Sequence, residues 1–99
     1  MNIEPNQTYT IKIANGDEIV TRITGEDDNT YTISRPLVVM PSPQGIQMIF
    51  GMFTADPEKP VELNKSAVSM IAPSRQEVCD SYTEATTGIK PVTNKILMG

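Results

Sequence analysis

The central segment of the sequence is residues 11–33, IKIANGDEIVTRITGEDDNTYTI, which turns about the dipeptide Asn15-Gly16. Apolar and polar residues alternate on both sides of this dipeptide, and period-two alternation places one set of side chains in a core and the other in water. Asn-Gly between two such runs predicts a hairpin with a tight primed turn, in which both residues take positive φ. A second polar turn, residues 25–29, leads into a third strand at Thr30. The segment therefore predicts a three-stranded meander.

The overall composition predicts one acidic domain. The chain has 99 residues, with eight Lys and Arg against twelve Asp and Glu, no His and one Cys. A chain of this length buries a single core, so we expect one domain over residues 1–99. The acidic balance argues against tight nonspecific binding to a phosphate backbone. A local basic site stays possible, because salt screens charges more than ~8 Å apart.

Cysteine usage and hydropathy bear on the compartment. Cys79 has no second cysteine to pair with, and the N-terminal residues are polar, unlike a signal peptide. These features predict a cytoplasmic protein. The most apolar run, residues 46–53, is far shorter than the ~20 residues that span a bilayer. We therefore expect a soluble protein without membrane contact.

The middle of the chain predicts a bent third strand and a strand that is apolar on both faces. The third strand continues to Met40, and Pro36 within it requires an edge position or a bulge. Residues 41–45 form a turn on composition. The fourth strand, Ile46–Phe53, carries apolar residues on both faces and should be buried on both sides. Either the C-terminal helix or another subunit could cover the second side, and both could do so.

The C-terminal third predicts a last strand and a helix. Residues 61–63 have strand character, and residues 67–72 are a fifth strand. Ser74 and Glu77 have the spacing of a capping box at the start of a helix. Apolar or small residues recur at helical spacing along that helix, at Val78, Cys79, Tyr82, Ala85 and Thr86. Gly88 suits a left-handed C-cap. We predict strands over about residues 8–72, a helix over about 74–87 and a tail over 88–99.

The sequence offers little for catalysis or metal binding. The one acidic cluster, residues 26–28, lies on a predicted turn, where adjacent side chains point in divergent directions. The glycines are scattered and form no phosphate-cradling loop. Cys79 has no His to activate it. We therefore predict no catalytic residue, no metal and no cofactor, and a hydrolase that uses carboxylates is a minor alternative.

Five strands with sharply bent third and fourth members predict an all-β fold, a strongly bent antiparallel sheet of the SH3 or Sm small-barrel type with a C-terminal helix. Residues 15–35 resemble the first signature of Sm-like proteins without a gap. The matching positions are Asn15, Gly16, Ile19, Ile23, Asp27, Tyr31 and Ile33. Residues 65–75 are similar to the second signature as it stands in the bacterial host-factor RNA chaperone.

The layout resembles small Sm-like (LSm) proteins of cyanophages and related bacteriophages, which keep the Pro-Leu-Val found here at residues 36–38. The resemblance covers roughly residues 8–75. It implies a homo-oligomeric ring of about five to seven subunits, in which the fourth strand of one copy pairs with the fifth strand of the next. For a phage-encoded chain, the implied compartment is the host cytoplasm.

The resemblance also implies weak binding of single-stranded RNA, or DNA, at two loops that line the pore. By position, the loop residues are Asp27, Asn29, Thr30, Asn64, Lys65 and Ser66. Asn29 and Asn64 occupy positions where the family has stacking side chains, which leaves hydrogen bonding and the Lys65 charge. Both Asn residues also suit ordinary turns, and we expect Tyr31 to face the core. The alternative function is a structural or adaptor ring that binds protein partners without nucleic acid.

Overall fold

The computed structural model describes residues 2–52 and 54–87, and over these it forms an antiparallel sheet and one α-helix. The elements are β1 (Thr8–Ile13), β2 (Glu18–Glu26), β3 (Thr30–Ser42), β4 (Gly45–Phe50), β5 (Val61–Asn64), a 3₁₀ turn (Lys65–Ala67), β6 (Val68–Pro73) and α1 (Gln76–Thr87). The expectation of an all-β fold with a C-terminal helix is confirmed. The expected number of strands is wrong, because the described residues form six strands and not five.

The sixth strand arises because one edge of β3 has two partners. The sheet order is β4-β3-β2-β1-β6, and β5 pairs with the start of β3. Since β2 occupies one edge of β3, β4 and β5 lie end to end along its other edge. Between them runs a loop that contains Pro57 and Pro60, which cannot donate to a ladder. The fourth strand, predicted as Ile46–Phe53, is observed as Gly45–Phe50. Phe53, Gly88 and the tail lie outside the described residues.

The hairpin at Asn15-Gly16 is confirmed, but its turn differs from the primed type. The strands are joined by residues 14–17, and only Gly16 has positive φ, at 98°. Asn15 Oδ1 accepts a hydrogen bond from the Asp17 amide at 2.9 Å. Asn15 thus acts through its side chain, as in an Asx turn, and does not need a left-handed backbone.

A bulge at Arg35-Pro36 bends β3. Arg22 pairs with Ser34 and Val20 with Leu37, so two residues of β3 face a single residue, Thr21, on β2. Arg35 has φ 50°, a left-handed value that non-glycine residues rarely adopt. Pro36 left an edge position or a bulge open, and the structure shows the bulge. The residue before the proline, Arg35, takes the strained left-handed conformation.

The Arg35 side chain holds the surroundings of the bulge together. Its guanidinium donates to the Glu58 carboxylate at 2.7 Å and to the Pro57 carbonyl at 3.3 Å. It also donates to the Thr86 carbonyl in the last turn of α1, where the helix dipole favours a cation. One side chain thus connects β3, the β4–β5 loop and the helix.

The bent sheet has a core on each face. The first cluster fills the concave interior with Tyr9, Ile11, Ile19, Ile23 and Ile33. The second cluster lies under the helix, where Tyr82 packs against Val20 and Leu37 and is joined by Met48 and Phe50 from β4. The helix therefore covers one face of β4. On the other face Ile49 pairs with Val38 and stays half-buried.

The helix begins at Gln76, two residues later than predicted, because Ser74 has another partner. The Ser74 hydroxyl lies 2.7 Å from that of Thr10 on β1. The first helical hydrogen bond instead runs from the Cys79 amide to the Arg75 carbonyl. Ser74 thus fastens the start of the helix to the sheet and not to the amides of its own first turn.

The Ser34 carbonyl at the bulge accepts two buried hydroxyls, Thr21 Oγ1 at 2.7 Å and Tyr82 Oη at 2.6 Å. We predict that Tyr82→Phe and Thr21→Val each lower the free energy of unfolding by ~1 kcal/mol, the usual net value of one hydrogen bond. The double variant should lose ~1 kcal/mol more than the sum, because the buried carbonyl then loses both donors. Urea unfolding of the unaltered protein, the two single variants and the double variant measures the coupling free energy between the two hydroxyls. Strict additivity would contradict a shared acceptor.

Candidate nucleic-acid interface

Pairing of β5 with the start of β3 brings the two predicted loops together. Thr30 pairs with Asn64 at the end of this ladder, and the Lys65 amide donates to the Asn29 carbonyl at 2.9 Å. One loop is the β2–β3 turn, with Asp27, and the other is the 3₁₀ turn after β5, with Ser66. All six predicted site residues therefore lie in two adjacent loops.

Asp27 organises the first loop. Its Oδ1 accepts hydrogen bonds from the amides of Asn29 and Thr30, both at 2.8 Å, and from the Thr30 hydroxyl at 3.0 Å. These bonds, led by the Asn29 and Thr30 amides, lower the pKa of the Asp27 carboxyl below its usual value. Asp27 thus shapes the turn through Oδ1.

Lys65 carries the positive charge of the second loop. Its Nζ lies 2.5 Å from Glu26 Oε2 and 5.0 Å from the centroid of the Tyr31 ring. The hydrogen bond to Glu26 raises the pKa of Lys65, so the ammonium form is favoured. The Lys65 side chain is 28% exposed. The cation is therefore held in place at the surface by a carboxylate and an aromatic face.

The amide side chains of Asn29 and Asn64 have no turn-forming role among residues 2–52 and 54–87. Asn64 precedes the 3₁₀ turn without capping it through its side chain, and Asp27 supplies the side-chain bonds that close the first turn. Both Asn residues are exposed. Their amide donors and acceptors consequently face solvent beside Lys65.

Two neighbours of Lys65 are not predicted by the sequence pattern. Tyr31 packs against the interior cluster, as expected from strand alternation, but its ring also receives the Lys65 ammonium. The sequence places Glu26 only in an acidic turn. The signal for its contact with Lys65 is weak, because residues 26 and 65 come together only through the pairing of β3 with β5.

The described part of the chain offers neither a metal centre nor a membrane-spanning helix. Residues 2–52 and 54–87 contain no group of three or more His, Cys, Asp or Glu side chains placed to hold a metal ion. Within the same residues, no helix has both the length and the apolar character needed to cross a bilayer.

No protein-family model matches the chain, and no curated protein matches it significantly.

The Asp27 hydrogen bonds predict how the first loop responds to acid. A carboxyl with a depressed folded-state pKa stabilises the folded loop above its ordinary pKa, and that contribution is lost as pH falls through the lower, folded value. The amide resonances of Asn29 and Thr30 should therefore stay constant through the ordinary Asp range and move only at lower pH. A pH series of ¹H–¹⁵N spectra measures this, with Asp27→Asn as the control in which the transition disappears. A midpoint above the ordinary Asp value would contradict these hydrogen bonds.

Proposed function

We propose that this chain is an Sm-like subunit that forms a ring and binds single-stranded nucleic acid, most simply RNA, at the paired loops around Lys65. The observation that carries the proposal is the convergence of an ammonium, an aromatic ring and two unengaged amides, from Lys65, Tyr31, Asn29 and Asn64, on one surface. These are the groups that single-strand binding uses: a cation for phosphate, a ring for stacking and amides for base edges.

The Glu26 ion pair does not prevent this role. Exposed ion pairs contribute little net stability, because water solvates the separated partners nearly as well. A phosphate oxygen can therefore replace Glu26 as the partner of Lys65. If the ammonium moves outward to that phosphate, it uncovers the face of Tyr31, which supplies a stacking surface in place of those that the family has at the positions of Asn29 and Asn64.

The open edges of the sheet support the ring. Within the described residues, β6 is the last strand at one side of the sheet, and the outer edges of β4 and β5 form the other. Both β4 and β6 are six residues long. Pairing β4 of one copy with β6 of the next would satisfy both rows of backbone groups. Such a ring would repeat Lys65 around one axis, and converging charges attract phosphate even on an acidic chain.

Exposed methionines lie beside these edges. Met70 on β6 is 64% exposed and Met52 after β4 is 44% exposed, whereas Met40, 43% exposed, lies on the internal strand β3. Ile49 on β4 is half-buried on the face that the helix does not cover. Apolar side chains beside unpaired backbone are typical of surfaces that another copy covers.

A protein-binding adaptor ring is the second candidate. The net charge of −4 and the neutralisation of Lys65 by Glu26 favour it. The two candidates share the ring and differ in whether nucleic acid copurifies with the assembled protein. An absorbance ratio typical of pure protein, with no oligonucleotide binding at low salt, would favour the adaptor.

Two substitutions in the ion pair should change oligonucleotide binding in opposite directions. Lys65→Gln removes the cation that pairs with phosphate, so we expect roughly tenfold weaker binding of oligo-U or oligo-A. The slope of the log binding constant against log salt concentration should also be smaller in magnitude by ~0.7 for each phosphate left without a cation. Glu26→Gln removes the competing carboxylate and should tighten binding. Fluorescence anisotropy across a salt series measures both effects.

Lys59→Gln is the matched control, since Lys59 is an exposed lysine in the β4–β5 loop and its loss changes net charge equally. Equal losses of affinity for Lys59→Gln and Lys65→Gln would show a general charge effect and no site at the loops. Unchanged binding in Lys65→Gln would remove the nucleic-acid proposal.

Met70→Glu should break the assembly without unfolding the subunit. The side chain is largely exposed in one copy, so a carboxylate there is well solvated, whereas pairing with another copy would bury it. We expect light scattering to show a ring for the unaltered protein and a much smaller species for Met70→Glu, with similar circular dichroism. Thr24→Glu, an exposed change on the internal strand β2, is the control that keeps the ring. A monomeric unaltered chain at micromolar concentration would contradict the ring itself.

A further inference from the structure

A polar cleft lies on the helix side of the sheet, and its lining residues do not include those of the paired loops around Lys65. It has a volume of about 360 Å³ and is lined by Arg22, Ser34, Arg35, Pro57, Glu58, Tyr82, Thr86 and Thr87. The lining comes from β2, the β3 bulge, the β4–β5 loop and the last turns of α1. Two of its side chains are guanidinium groups, on a chain whose net charge is −4.

Arg22, a half-buried cation, has one donor without a hydrogen-bond partner. Its Nε is buried and has no hydrogen-bond acceptor, and within the described segments Arg22 forms no ion pair. The contact that it does make is with the Tyr82 ring, whose centroid lies 5.9 Å from the guanidinium carbon. An unsatisfied buried donor costs free energy, and the cost is larger for a charged group.

The neighbouring acceptors are already in use. The Ser34 carbonyl accepts the hydroxyls of Thr21 and Tyr82, which occupy its two lone pairs. Glu58 is the one carboxylate in the lining, and it pairs with Arg35 at 2.7 Å. The cleft therefore contains two cations and one anion, and no acceptor in its lining reaches Arg22 Nε.

Both guanidinium groups act on the same point. Burial raises the pKa of the Tyr82 hydroxyl, while the charges of Arg22 and Arg35 act in the opposite direction. Tyr82, which lines the cleft, therefore lies within the fields of both groups. A mobile anion placed there would be attracted by both groups, and the partly buried setting reduces screening by salt.

We propose that this cleft binds a phosphate group, with Arg22 as its principal ligand. The Nη groups of Arg22 can donate to the oxygens of a phosphate in the cleft, and a turn of the guanidinium would bring Nε, which solvent does not reach in this structure, into the same planar fork. A tetrahedral phosphate has further oxygens, which suits a cleft whose donors come from both the sheet and the helix. The Ser34 side chain, which lines the cleft, can donate its hydroxyl to one of them. The phosphate can be free or the terminal group of a larger molecule, because the cleft opens to solvent.

The test follows the Arg Nε–H resonances of the ¹⁵N-labelled full chain as inorganic phosphate is added. We expect a saturable shift of the Arg22 resonance, complete by ~100 mM phosphate even for a millimolar site. Arg22→Lys keeps the charge but loses the fork, and should weaken phosphate binding at least tenfold, as followed by the Ser34 amide. Arg75→Lys is the matched control, because Arg75 is exposed and paired with Glu77, and should leave the titration unchanged.

The unaltered chain decides the outcome even if Arg22→Lys folds poorly. A linear, non-saturating shift of Arg22, or equal shifts of Arg22 and Arg75, would overturn the site. The two sources of phosphate are separated by competition. A 5′-phosphorylated trinucleotide that displaces inorganic phosphate better than its 5′-hydroxyl counterpart identifies a terminal phosphate as the ligand. Displacement by neither trinucleotide identifies free phosphate. The site does not depend on Lys65, so Lys65→Gln should leave this titration intact.

Discussion

The Ser34 carbonyl at the β3 bulge is the point on which the two faces of this molecule depend. It accepts hydrogen bonds from the hydroxyls of Thr21 in the sheet and Tyr82 in the helix. The bend of β3 and the packing of α1 on the sheet therefore depend on one buried acceptor. The extra residue at the bulge lets β3 curve around the interior cluster and still present Leu37 to the helix. Removing these bonds would cost more than their number suggests, because a buried carbonyl without a donor is strongly unfavourable.

The same bulge explains why β3 has three partners. A strand of thirteen residues bent in its middle offers two differently oriented segments on one edge, and β5 pairs with the first while β4 pairs with the second. Arg35 then fastens the intervening loop and the helix end to the bend. The positions of both candidate sites follow from this arrangement. β5 carries Lys65 to the β2–β3 turn, and the helix closes over Arg22.

The positively charged side chains of the two candidate sites differ in their partners. Lys65 has a carboxylate partner at the surface, which favours the charged ammonium. Another anion can replace this carboxylate. Arg22 has an aromatic ring but no acceptor for its Nε. An exposed ion pair is easily exchanged for another anion, whereas a half-buried donor gains more from any anion that reaches it. On an acidic chain, such local differences determine where an anion can bind, and net charge does not.

Local sequence patterns were sufficient to predict the meander, a bulge or an edge position at Pro36, the C-terminal helix and the two loops around Asp27 and Lys65. These features depend on near neighbours in the chain: alternation, a proline, helical spacing and turn residues. The three-dimensional structure was needed to show that Ser74 bonds Thr10, that the fourth strand ends at Phe50, that Glu26 reaches Lys65 and that Arg22 Nε lacks an acceptor. Each of these involves residues far apart in sequence or the exact course of a loop. Their free energies depend on which groups the fold brings within hydrogen-bond distance, and local periodicity carries no information about that.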